Sequence, residues 1–338
     1  MRWVLAVSSD PRYSHSVSNA SAVGSRPDSA TLLAFGGVVL FGGANAIGVK
    51  LTVQELAPFW GAAMRFAAAG VLMLLLVVLT RRPRPRGRSL GGAALYGVVG
   101  FAASYGFAYI GLHDVPAGTA MVLIALTPLF TFGLAIAHGQ ERFHVQGLVG
   151  GLIAVTGVAI VFIDQVSADV PAVSLALILL AAVAIAESGV IVKSIPRSDP
   201  FATNAVAMLT GAVLLLILSL AAGEPWVLPT QAATWAAVGY LVLFGSVLMF
   251  ALFVFTLQRW TASAVSYVTL LMPLVTVVLA AVLTGERITP SFLLGGAVIL
   301  GGVYVGAFLK GRPVRSSASS LPECLPIDAC TEAEPAGA

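Results

Sequence analysis

The sequence predicts an all-α integral membrane protein of ten transmembrane helices arranged as two inverted five-helix repeats, and three observations predict it. Apolar residues make up 58% of the chain and charged residues only 10%, where soluble domains carry roughly 25% charged residues. With a mean hydropathy of +0.96, 338 residues cannot fold enough polar surface around such long uncharged runs. The chain also repeats itself. Residues 117–158 lie on 262–303 without a gap and match at 14 of 42 positions, including Pro128 with Pro273, Thr131 with Thr276, Glu141-Arg142 with Glu286-Arg287, Gly150-Gly151 with Gly295-Gly296 and Gly157 with Gly302. Shared apolar composition explains matching leucines; it does not place a proline, a Glu-Arg pair and a glycine pair in one register. The third observation is the segregation of basic residues to the segments of one membrane face.

Residues 1–30 are polar and Ser-rich, with no apolar run longer than Trp3 to Val7. That is too short for a signal-peptide core of ~7–15 residues, so a retained, disordered leader is expected. Crossing the ~30 Å hydrocarbon layer takes ~20 residues, with ~17 tolerated. Apolar segments that meet this are 31–49, 57–79, 90–112, 115–137, 147–163, 172–192, 201–222, 233–256, 262–283 and 292–309. The first five form one repeat (31–163), residues 164–171 connect, and the last five form the second (172–309). From residue 310 the composition turns to Ser, Pro, Ala and acids, which cannot bury enough apolar surface to fold, so a disordered tail over 310–338 is expected. Cys324 and Cys330 lie there and mark neither a disulfide core nor a metal site.

With the N-terminus inside, the cytoplasmic segments hold 15 of the 18 Lys and Arg residues, led by the cluster Arg81, Arg82, Arg84, Arg86 and Arg88. Only Lys50 and Arg287 face outward, and Arg65 lies within a span. This bias places both termini in the cytoplasm, and the even helix count agrees. The net charge of +3 and pI near 9.0 therefore mark a membrane face in contact with lipid, not nucleic-acid binding. Because each repeat has an odd number of helices, the second enters from the opposite side, the inverted duplication common among secondary transporters.

Pro58 with Arg65-Phe66 in helix 2, Pro128 followed by Gly139-Gln140-Glu141-Arg142, Pro273 followed by Gly285-Glu286-Arg287, and the glycine-rich helices 5 and 10 together give the chain a family resemblance. Over about residues 31–310 it resembles a bacterial EamA-type member of the drug/metabolite transporter (DMT) superfamily. The resemblance implies a ten-helix transporter with a central cavity, moving small organic solutes such as amino acids, bases or drugs, often outward.

Arg65 and Glu187 are the two charged side chains inside the spans, and a charge near the bilayer centre costs at least ~2.5–3.5 kcal/mol, so it faces a cavity or a partner. Arg65 sits about 12 Å deep at ~1.5 Å per residue, Glu187 past the midplane toward the cytoplasm; a direct pair would need a tilt or a break. Arg65 fits either a bidentate hold on a solute carboxylate or a brace donating to carbonyls of helix 1. Glu187, with no counterpart in the first repeat, fits an amine or coupling-proton site, or a side chain snorkelling to the interface. Asn45, within Gly42-Gly43-Ala44-Asn45-Ala46-Ile47-Gly48, sits where glycines permit a helix break toward a cavity. The stretch imitates a P-loop but lacks its adjacent Gly-Lys-Ser/Thr.

Tyr105, Tyr109, Tyr240, Tyr267 and Ser246 supply rings and hydroxyls for a solute; Tyr267, read near the outer end of helix 9, serves equally as an interfacial anchor. Asn204 reads as a cap or headgroup contact. Pro128 and Pro273 each remove a helical hydrogen bond, so helices 4 and 9 are expected to kink at matching points, as gate hinges or static bends. Glycines of helices 5 and 10, with G-x-x-x-G spacings at Gly147–Gly151 and Gly302–Gly306, permit close packing within one chain or across a homodimer.

An intramembrane enzyme would need a nucleophile with its base, a carboxylate pair or a metal set at depth; all four histidines lie outside the spans, and no H-E-x-x-H or G-x-S-x-G occurs. No enzyme, metal or cofactor is therefore expected. The reading is a transporter of a small, zwitterionic or mixed-polarity metabolite across the inner membrane by alternating access, without ATP, exporting or exchanging it; the alternative is a channel or a non-transporting sensor of small molecules.

Overall fold

The computed structural model describes residues 27–115, 117–163, 170–284 and 289–309. The Glu286-Arg287 corner, most of the leader, the connecting segment 164–169 and the tail from 310 lie outside the described residues. Among the described residues ten helical segments appear where the apolar runs predict them: α1 Ser29–Thr52, α2 Pro58–Leu79, α3 Arg88–Gly111, α4 Ala117–Ile124 with Thr127–Ala137, α5 Val145–Val161, α6 Ala172–Ser194, α7 Pro200–Ala221, α8 Ala232–Leu257, α9 Ala262–Ser266 with Val268–Thr284, and α10 Pro290–Val303 continuing to Phe308. Nine reach 18 residues; α5, with 17, spans about 25 Å.

Local chemistry sets the starts. Pro58, Pro200 and Pro290 occupy first turns, where the missing N–H costs nothing, and Asp28, Asp199, Thr261 and Thr289 accept N–H groups of the turns they precede. Leu33, Leu79, Val173 and Val282 stand exposed on the outside of the bundle, the arrangement that lipid rather than water stabilises.

Helix pairing displays the duplication as an exchange. α2 packs along α7 and α5 along α10, so second and fifth helices meet their own counterparts. The remaining large contacts come in swapped pairs, α1–α9 with α6–α4, α1–α8 with α6–α3, and α7–α3 with the less extensive α2–α8. A pseudo-two-fold axis between the repeats accounts for both patterns. The α5–α10 glycines are spent on this intrachain contact: a Cβ on Gly150 would lie 2.3 Å from the Gly306 nitrogen, and one on Gly302 would lie 2.5 Å from that of Ala154.

The two prolines act differently from the symmetric kinks expected. α4 is interrupted at residues 125–126, and Pro128 opens its second piece; the Ile124 carbonyl that Pro128 cannot satisfy accepts the Thr127 hydroxyl at 2.6 Å. α9 continues through Pro273 and is interrupted earlier, at Tyr267. Identical prolines in matching register thus sit in different local backbones, with Thr127 ahead of Pro128 where Met272 precedes Pro273.

Candidate functional site

α3 and α8 each widen into a π-helical stretch, Gly97–Ala103 and Leu243–Leu248. The repeat register places them together, with Gly100 on Gly245. Such turns loosen the regular ladder and recur at functional positions. The stretch on α8 gathers three residues singled out from the sequence. Arg65, 4% exposed, donates from Nε to Ser246 Oγ at 2.8 Å and from Nη2 to the Gly245 carbonyl at 2.9 Å. Asn45 Nδ2 donates to the same carbonyl at 3.0 Å. A Cβ on Gly245 would lie 1.9 Å from Asn45 Oδ1, so glycine is what admits the amide. Arg65 therefore braces α8, not α1, through its Nε and Nη2 groups. Helix 1 does not break at Asn45; it runs unbroken for 24 residues, and Gly42 and Gly43 instead let α9 approach, with Thr276 Oγ1 donating to the Gly43 carbonyl at 2.7 Å.

Glu187 lies elsewhere, 3.4 Å from His138 Nε2 at the end of α4, with its second oxygen buried and unpartnered among the described residues. The structure does not bring Arg65 and Glu187 together. Tyr240 donates to the Phe41 carbonyl at 3.1 Å. Tyr267 is buried at the start of α9, the end that carries Arg259, and donates to the Gly147 carbonyl at 3.2 Å; it is neither an outer anchor nor free for a solute. Asn204 is also buried and joins α7 to α8 through the Phe250 carbonyl at 2.9 Å, in place of the expected cap.

A cavity of about 240 Å³ lies between the repeats, walled by α1, α3, α6, α8 and α9. Tyr96, Ser104 and Tyr105 of α3 face it together with Ser188 of α6, Met249, Phe250 and Phe253 of α8, and Thr269 and Met272 of α9. Of the predicted solute residues only Tyr105 lines it. Tyr109 and Arg65 line a separate slot of about 20 Å³ with the α1–α2 corner. Ser104 and Ser188 were legible as hydroxyls in mid-span, but Tyr96 and the Phe250–Phe253 wall carry no mark that separates cavity from core.

Carboxylates in the corners hold one repeat to the other. Glu55 accepts from the Thr230 and Gln231 N–H groups at the start of α8 (2.8 and 3.2 Å), and Glu224 from Phe59 and Trp60 at the start of α2 (3.1 and 2.8 Å). Trp60 stacks on Trp226 beside it, 5.2 Å apart. At the basic end Arg82 pairs with Asp199 at 2.8 Å, and Glu141 accepts the Ser263 N–H at 3.0 Å at the start of α9. Each acid meets the partially positive end of a helix, and each contact joins opposite repeats.

Comparison with known proteins accords with this architecture. The inner membrane transporter YedA of Escherichia coli K12, itself uncharacterized, is 28% identical over 271 residues, 79% of this chain and 88% of that protein. A probable terminal-alkyne amino-acid exporter of Streptantibioticus cattleyicolor is 32% identical over 223 residues, 66% of this chain and 74% of the exporter. A crystal structure 19% identical superposes with a TM-score of 0.71 over 83% of this chain and 98% of the other, which shows the shared fold. The profile of the EamA-like transporter family matches twice, over residues 29–163 and 172–307, and the chain belongs to that family of multi-pass membrane transporters.

Proposed function

We propose that the chain is a secondary carrier of the inner membrane that moves a small organic solute through the cavity between its repeats by alternating access. The observation that carries this reading is the cavity's position: both repeats wall it, across a pseudo-two-fold axis that gives one site two mirror-related openings. The corner latches at the two ends suit that role. Exposing the cavity at the basic end requires Arg82–Asp199 and Glu141–Ser263 to part; exposing it at the other requires Glu55 and Glu224 to release α8 and α2. The basic residues favour cytoplasmic termini, and the exporter named above supports outward movement or exchange.

Counterflow in proteoliposomes tests the reading, with labelled amino acids, nucleobases, amides and amines, with and without a pH gradient. Saturable accumulation of one solute class is expected. Rapid, non-saturable equilibration would replace the carrier with a channel, and a solute that binds without crossing would make the protein a sensor.

A further inference from the structure

We propose that the cavity between the repeats selects solutes that enter it uncharged: a flat apolar body bearing N–H or O–H donors, the chemistry of a neutral aromatic amide. This rests on the cavity being the solute site, and it departs from the zwitterionic cargo expected from the sequence.

Two features of the wall lead there. Among the described residues that line the cavity there is no Asp, Glu, Lys, Arg or His. The interior charges that would have met a zwitterion stand outside this wall, Arg65 donating to Ser246 and Gly245 and Glu187 beside His138. A solute carboxylate or ammonium would therefore lose its water without gaining a counter-charge, which costs far more than burying a paired polar group.

The hydroxyls are also directional. Ser104 gives its proton to the Gly100 carbonyl at 2.6 Å, Ser188 to Ile185 at 2.7 Å and Thr269 to Ser266 at 2.8 Å. Each keeps oxygen lone pairs to offer a solute, so these three act as acceptors. Tyr96 is the complement, 1% exposed with a hydroxyl that has no partner among the described residues. The Phe250 and Phe253 rings complete a surface on which an aromatic body packs well.

Benzamide, benzoate and benzamidine share a shape and differ in charge. Equilibrium dialysis of each labelled compound against the purified full-length protein in nanodiscs, with empty nanodiscs subtracted, is expected to show benzamide binding about 100-fold tighter than either ion. Tyr96→Phe should weaken benzamide by about fivefold, one hydrogen bond's worth. Absence of any benzamide preference, whether all three bind alike or none binds, overturns the inference. Ser188→Cys, in a background lacking Cys324 and Cys330, ties the result to place: methanethiosulfonate modification of the new thiol should abolish benzamide binding. The same variant separates the two readings. Blocked counterflow of a zwitterion would leave the cavity as the path and sink the neutral-solute inference; counterflow that survives modification would remove the cavity from the transport path.

Discussion

The π-helical turns of α3 and α8 occupy the same place in the two repeats and are held in opposite ways. On α3 the turn is packed by omission: a Cβ on Gly97 would lie 2.3 Å from the Ala207 carbonyl oxygen, and the Gly100 carbonyl is satisfied from within its own helix by Ser104. On α8 the matching glycine's carbonyl is held from outside, by Arg65 and Asn45. The counterpart of Arg65 under the repeat register is Thr210, whose hydroxyl bonds its own helix at Val206, 2.9 Å away. A duplicated backbone does not require a duplicated chemistry. The turn without the cation faces the cavity through Gly100 and Ser104, while the clamped turn is tied to α1 and α2.

The largest effect should come from filling the uncushioned contact. Gly97→Ala pushes a methyl into the α7 backbone, which cannot swing aside, and should destabilise by about 3 kcal/mol or more, at the upper end of overpacking costs. Gly245→Ala meets a side-chain amide instead, and should cost about half as much, with Asn45→Ala in the same chain restoring part of it. Urea or thermal unfolding in detergent reads both. Equal losses would mean the two turns are held alike.

Next in size is the clamp. Arg65→Met removes the guanidinium from Gly245 and Ser246 and should cost about 2 kcal/mol, as hydrogen bonds to charged groups do. Thr210→Val at the matching place should cost under about 0.5 kcal/mol, because its bond is local and the volume is kept. A loss at Thr210 as large as at Arg65 would end the asymmetry.

The sequence reading reached the fold through signals that survive without coordinates: span lengths, the repeat register at Pro128/Pro273 and the Glu-Arg pairs, and the parity of five helices. It reached the site only in part. Arg65, Asn45 and Ser246 were legible as polar groups inside lipid-length helices, and they do converge, yet on each other. What was hidden is directional. Whether a buried hydroxyl or guanidinium points at a solute or at a carbonyl two helices away depends on tertiary packing, and π-helical widening has no residue signature beyond a glycine. Tyr96 and Phe250 look like core in any pattern of period 3.6, because the wall of an apolar cavity and a packed interior use the same residues.

An effect smaller than the clamp's extends the comparison to the fifth helices, whose caps also match in register. His144 Nδ1 accepts the Gly147 N–H at 3.0 Å ahead of α5, where Thr289 caps α10 by accepting from Phe292 at 3.2 Å. Burial pushes the His144 imidazole below its usual pKa, against an opposing pull from Glu141, so the folded protein holds the neutral ring that can accept. A lowered histidine pKa adds stability that is complete above the ordinary value near ~6.5 and is lost as pH falls through the folded value. Thr289 cannot titrate. Wild type should therefore lose about 0.5–1 kcal/mol, a cap's worth, between pH 7.5 and pH 5, beyond the loss seen in His144→Thr, which carries the second repeat's cap into the first. Parallel unfolding curves for the two proteins across that range would show that the titratable cap contributes nothing, and that the caps of the fifth helices add nothing to the contrast between the repeats.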